Sequence, residues 1–325
     1  MPPAPKPAQP AKPAKLPSGK GASKVNAAPL IQAAVLLGLL GIFSNVSLLT
    51  LSPVYGGIPA SKWHSYVLMA GCFLGWAGNV ALRQSLPVRT ASLLPLVALH
   101  IPTVQYFIFG LSEKLGCEWG PVVTEAVTLL PLAALSASSV ADAVEGLELS
   151  VLPGFVADAA PGMASWGLVK LVEHVSQYHI RAHIGQGLLY TRMGMELLLA
   201  GSYAVLAPSK LLLLAVPALL HSAMLNTHVM TEQSTLALND TMQAQNWTLL
   251  DRRESLTGYL SVIESNDRGF RVMRCDHSLL GGEWVMIQGK RAAEPIYGVF
   301  VMLEAVRLVE TKDTVADKDA SALVV

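Results

Sequence analysis

No acidic residue precedes Glu113, and no charged side chain of either sign stands between Lys24 and Lys62. Charged residues make up only 14% of the 325-residue chain, against about 25% in ordinary soluble domains. A segment without charge over such a length cannot cover its surface in water, so lipid is the expected solvent there. The 23 basic and 23 acidic residues cancel, which leaves no global charge to attract nucleic acid. Cysteine is scarce and scattered. Cys72, Cys117 and Cys275 form no CxxC pair, which excludes a disulfide framework and a zinc ribbon, and such thiols are expected to act as small hydrophobes. No GxGxxG, Walker or GxSxG pattern occurs, and Gly185-Gln186-Gly187 follows no strand, so it is a poor phosphate loop.

What is present divides the chain into three regions. Residues 1–28 carry Lys6, Lys12, Lys15, Lys20 and Lys24 among Pro and Ala. They are expected to form a disordered tail against anionic headgroups. Residues 29–230 are expected to form a transmembrane helical bundle. Its six spans, each near the ~20 residues needed to cross hydrocarbon, lie at 30–51, 66–82, 91–111, 120–140, 188–207 and 211–229. The third is interrupted by Pro95 and Pro102 around His100. Residues 161–184 are too polar to face lipid and are expected to form an interfacial helix. The Lys/Arg bias of the flanks and the even count place both termini in the cytosol, in an organelle the sequence does not specify.

Ionisable groups in the apolar region are the natural candidates for chemistry. His179 and His183 are spaced i, i+4 on one helix face, which suits a pair of metal ligands. The alternative is two headgroup-level hydrogen-bonding histidines. Arg192 and Glu196 share the same spacing and are expected to neutralise each other, while Glu125 is expected to snorkel to a membrane surface. A transport pathway through these three is the functional alternative. Asn239 and Asn246 begin glycosylation sequons and report on topology.

From residue 231 onward polar residues dominate. Residues 258–265 (GYLSVIES) and 269–275 (GFRVMRC) read as strands joined by Asn266-Asp267-Arg268, with a third strand at 283–288. Pro295 is expected to open an amphipathic helix reaching Val309, and 320–325 to form a buried strand. The stretches GYLSVIES, FRVMRCDHSLLGGEW, PIYGVFVMLEAVRLVE and SALVV together resemble the start of the spermidine/spermine synthase (aminopropyltransferase) family. They are most similar to its membrane-anchored fungal members. Gly258 and Gly298 stand where that family commonly has Gln.

The resemblance implies a mainly α membrane protein, with about six transmembrane helices followed by a small α+β domain. That domain, residues 231–325, would consist of a β-hairpin and a helix and would end at the first strand of a Rossmann-like sheet. Asp276 and Tyr297 would line a polyamine site. The loop for decarboxylated S-adenosylmethionine and the catalytic acid would follow Val325, so no cofactor is expected within the chain and no aminopropyl transfer from it alone. The expected partners are the bilayer and a polyamine, with no nucleic acid. A transporter or scaffold and an S-adenosylmethionine-dependent methyltransferase are the alternative functions.

Overall fold

The computed structural model describes residues 27–145 and 154–296. The tail at 1–26, Tyr297, the expected helix to Val309 and the expected last strand lie outside the described residues.

The uncharged stretch forms the long helix α1 (Ala27–Tyr55), the axis of the bundle. The chain reverses at Gly56, whose φ of +91° an L side chain rarely adopts. Helix α2 (Gly57–Ala77) follows, and after a 72° bend comes α3 (Asn79–Ser85). The next helices are α4 (Thr90–Phe109), α5 (Ser112–Val127) and α6 (Leu129–Val144). Then come α7 (Gly154–His183), α8 (Arg192–Leu206) and α9 (Val216–Met224). Leu40, Phe43 and Val46 of α1 are fully buried against Leu68, Leu132 and Tyr203 of α2, α6 and α8. The closest helix approach is between α2 and α6. A Cβ at Gly75 would stand 2.1 Å from the Ala134 carbonyl oxygen, and one at Gly71 would stand 2.8 Å from the Ala133 Cβ. Only glycine admits such backbone proximity.

Helix α10 (Glu232–Gln243) starts at a reciprocal cap between Thr231 and Ser234. It leads into five strands: β1 (Trp247–Ser255), β2 (Gly258–Ser265), β3 (Phe270–Cys275), β4 (Ser278–Ile287) and β5 (Lys290–Pro295). They pair antiparallel in sequence order. Leu249, Ile263 and Val272 form a small core that packs against Leu238 and Met242 of α10.

This architecture corrects the expected fold class. Among the described residues three helices are long and apolar enough to cross a membrane: Ala27–Tyr55, Thr90–Phe109 and Ser112–Val144. The bent pair Gly57–Ala77 and Asn79–Ser85 would make a fourth. The count is not six. The apolar stretch at 188–207 fails as a span because a 3-10 turn, Leu188–Tyr190, precedes a helix of only 15 residues, capped by the Thr191 hydroxyl. The stretch at 211–229 is a 3-10 turn followed by the short α9. Each buries only part of its apolar surface, such as Leu199, Tyr203 and Ala215, and leaves Val205 and Leu213 exposed. Among the described residues the terminal region holds a five-stranded meander in place of a hairpin, and Pro295 is the last residue of β5.

Candidate functional site

Arg192 and Glu254 join the bundle to the sheet. Thr191 is the N-cap of α8, accepting a hydrogen bond from the Gly194 N–H. The first residue of that helix, Arg192, therefore faces β1. Its backbone N–H (3.2 Å) and its guanidinium donate to the Glu254 carboxylate, and its Nε donates to the Leu49 carbonyl at 2.8 Å. Both charged side chains are only 4% exposed. Burial pushes the Glu254 carboxyl above the ordinary carboxylate range, with Arg192 opposing the shift.

Beside this pair lies a cavity of about 220 Å³, walled by Thr50, Phe109, Arg192, His228, Glu254 and Tyr259 among others. It adjoins a wider mouth of about 490 Å³ that shares Phe109, Thr227 and His228. Arg252 forms part of the wall, with its fork held by protein acceptors. It donates to the carbonyls of Thr227 (2.6 Å) and Val229 (3.1 Å) and to the hydroxyls of Ser234 and Thr235 (both 2.9 Å). No carboxylate lies within ion-pair distance of Arg252 among the described residues.

The His228 ring sits edge-on to Tyr106 and Phe109, with centroids at 6.0 and 5.3 Å. The His228 side chain is exposed at the cavity mouth. Desolvation first, and then the positive field of Arg252, hold its imidazole down at about 4 from an ordinary 6.5. Burial raises the Tyr259 phenol, with Arg252 pulling the other way. The cavity thus offers a neutral imidazole, a phenol and the Arg192-paired carboxyl of Glu254, beside Arg252 and the Phe109 ring. That set can seat a small nitrogen-bearing group by accepting its N–H hydrogens.

The His228 shift fixes a pH dependence. Between about 4 and 6.5 the unfolded chain binds this proton more tightly than the folded one. The stability involved is complete above pH 6.5 and is lost as pH falls toward 4. His228→Gln should therefore show a shallower fall in Tm across this window than the wild type, measured in detergent micelles. Parallel Tm curves would show that His228 titrates normally.

Of the residues singled out from sequence, Arg192 lines this cavity, while Asp276, His179 and His183 do not. Asp276 is in the β3–β4 turn at φ +49°. Its carboxylate accepts from the Tyr259 N–H at 2.7 Å, and its own N–H donates to the Tyr259 carbonyl at 2.9 Å. It pins the start of β2, one residue from the cavity wall. Tyr297 is outside the described residues. His179 and His183 lie 4.3 Å apart between ring centroids. The first contacts the Tyr190 hydroxyl at 3.1 Å, and the second donates to the His179 carbonyl at 2.8 Å. Among the described residues no group of three or more His, Cys, Asp or Glu side chains could hold a metal ion.

Two further expectations are corrected. Arg192 pairs with Glu254 and not with Glu196, whose Oε1 accepts from Gln105 Nε2 at 2.9 Å. Glu125 does not reach toward a surface. It is 1% exposed and bonded to His64 Nδ1. The opposite ring nitrogen of His64 is 2.8 Å from the Ser44 hydroxyl, which donates to Glu173 Oε1 at 2.7 Å. Hydroxyl, imidazole and carboxylate thus stand in a row, but the Ser44 proton is directed at Glu173 and its side chain is fully buried. The row locks α1, α2, α5 and α7 together.

No family model matches this chain, and no solved structure matches it either. The chain is 39% identical over 303 residues to a curated N-terminal histidine N-methyltransferase of Emericella nidulans, an alignment covering 91% of this chain and 54% of that protein. The chain therefore spans about half the length of this relative. A relative named for methyl transfer, aligned over nine tenths of the chain, overturns the aminopropyltransferase reading and with it the place in polyamine biosynthesis. The hairpin and helix stretches behind that reading cover only about a fifth of the sequence.

Proposed function

We propose that this chain is the bundle-and-sheet part of an enzyme that methylates a nitrogen of an N-terminal histidine, with the cavity at the bundle–sheet junction receiving that histidine. The observation that carries the reading is the 39% identity along 303 residues. The cavity supports it: Phe109 and His228 offer ring walls, and His228 a neutral acceptor for an N–H.

Methyl transfer calls for S-adenosylmethionine itself in place of the decarboxylated form. The described residues do not fit that donor. Strands β1 to β5 are joined as hairpins, and none of them leads through a glycine-rich turn into a helix. The contribution of this portion is accordingly to the acceptor side.

The whole enzyme that carries this chain should add one methyl group to a peptide beginning with histidine when supplied with isotopically labelled S-adenosylmethionine. Mass spectrometry should place the label on residue 1. Peptides that begin with alanine, or that carry histidine only internally, should remain unlabelled. Equal labelling of the internal histidine would sink the reading.

We also propose that α1, α4 and the α5–α6 pair, with α2–α3 as a bent fourth, hold the protein in a bilayer. Their length and apolarity support this, as do the exposed Phe73, Phe107, Val205 and Leu213 on the outer faces of the bundle. The protein should stay in the membrane pellet after alkaline carbonate extraction. With the sheet cytosolic, Asn246 should carry no glycan. Release into the supernatant counts against bilayer integration, and an endoglycosidase-sensitive shift lost in Asn246→Gln counts against the orientation.

A further inference from the structure

A second cavity, of about 240 Å³, opens between α2 and α7 on the outer side of the bundle, away from the bundle–sheet junction. Its walls are almost entirely carbon: Leu37 at the floor, Met69 and Phe73 at the rim, and the indoles of Trp76 and Trp166 on either side. Met69 and Phe73 are 48% and 68% exposed, so the slot is open to entry from outside. Its width depends on one small residue. A Cβ at Gly162 would stand 3.2 Å from the Trp76 ring, and any longer side chain there would project into the space.

A charged side chain adjoins the Trp166 wall of this slot. The Lys170 ammonium lies 5.6 Å from the centroid of the Trp166 ring, and its side chain is 39% exposed. It pairs with Glu173, yet an ammonium has three N–H donors, and this pairing occupies one of them. Glu173 does not depend on Lys170 for its place, because the Ser44 hydroxyl donates to it at 2.7 Å and His64 Nε2 lies 3.7 Å away. The lysine is thus a cation with spare donors beside an apolar slot.

We propose that this slot binds one hydrocarbon chain of an anionic amphiphile. The hydrocarbon chain lies between Phe73, Trp76 and Trp166, and the carboxylate or phosphate head meets the Lys170 ammonium. The two halves of the slot match the two halves of such a ligand. Apolar walls gain from covering a chain, and a charge-assisted hydrogen bond fixes the head. A free fatty acid and an anionic phospholipid share this chemistry. The inference does not depend on the methyltransferase reading, since it uses neither the junction cavity nor any of its residues.

Quenching of tryptophan fluorescence by brominated ligands tests it, using the full chain in detergent. A dibrominated stearate should quench saturably, and unbrominated stearate should reverse the effect. Lys170→Gln should weaken the apparent affinity about tenfold, whereas Lys170→Arg should retain it. A brominated alcohol of equal chain length should bind wild type and Lys170→Gln alike.

Gly162→Leu should remove the saturable component. If that variant unfolds, Ser165→Leu narrows the slot from its rim and should do the same. Saturable quenching by a brominated phosphatidic acid that stearate cannot displace assigns the site to a lipid headgroup, and displacement by stearate assigns it to fatty acid. Quenching that never saturates, or that persists unchanged in Lys170→Gln and in the slot-filling variants, overturns the proposal.

Discussion

Replacing Arg192 by methionine is expected to destabilise the protein by about 3–5 kcal/mol, the range for removing one partner of a buried ion pair. The methionine fills much of the space but leaves the Glu254 carboxylate, 4% exposed, without its cation. It also leaves the Leu49 carbonyl without the Nε donor. Changing both partners, Arg192→Met with Glu254→Leu, should recover a substantial part of the loss, since no unpaired charge then remains buried. Denaturant unfolding in micelles measures both effects.

The single variant should also become less defective in acid. Burial already raises the folded-state carboxyl of Glu254 above its unfolded value, and removing Arg192 takes away what opposes that rise. Protonation is then favoured in the folded state, so the defect is full above the raised value and shrinks as pH falls through it. A loss of under about 1 kcal/mol would mean that water reaches the pair, as it does in exposed pairs.

Gly75→Ala is the second large effect. In most helix interiors the change is favourable by about 1 kcal/mol, because alanine restricts the unfolded chain and propagates the helix better. Here the new methyl would stand 2.1 Å from a backbone oxygen of α6, and a backbone atom cannot rotate away. Separating α2 from α6 would also strain the Asn79–Asp142 hydrogen bond (2.9 Å) and the Ser138–Asn79 hydrogen bond (2.7 Å) at the same interface. A net loss of about 3 kcal/mol is expected, near the top of the overpacking range. Gly38 is the control. Nothing lies within 4 Å of the Cβ it would gain, so Gly38→Ala should be neutral or mildly stabilising. Equal Tm shifts for the two variants would remove the close-approach argument.

What the sequence disclosed follows from how local each signal is. The uncharged stretch that became α1 and the alternation in β2 and β3 are carried by neighbouring residues, and they were legible. Strand β1 was not. A bulge between Leu249 and Asp251 breaks its alternation, and Arg252 points inward to donate to the Val229 carbonyl and the Ser234 hydroxyl near the start of α10. A period-two reading places such a residue outside. The six-span count failed because apolarity alone does not reveal where a 3-10 turn interrupts a helix, as at Leu188–Tyr190 and Lys210–Ala215. The candidate site was the least visible part. Arg192 and Glu254 are 62 residues apart, and His64 and Glu125 are 61 apart. The neutrality of His228 depends on burial and on Arg252, neither of which its own neighbours in sequence reveal.

The sequence-ordered meander has a consequence for biosynthesis. Each of β2 to β5 pairs with the strand made just before it, so loop-closure entropy is small and each hairpin can form soon after translation. The Arg192–Glu254 latch is different, since the arginine is synthesised 62 residues before its partner. Until β1 emerges, the nascent bundle carries an unneutralised guanidinium at the start of α8, and docking of the sheet is what conceals it. Assembly thus has an order written into it: helices first, local strands next, and the orientation of sheet on bundle last. A chain stalled before the final step would display a free cation beside apolar surface, a feature by which quality control could distinguish it from the finished protein.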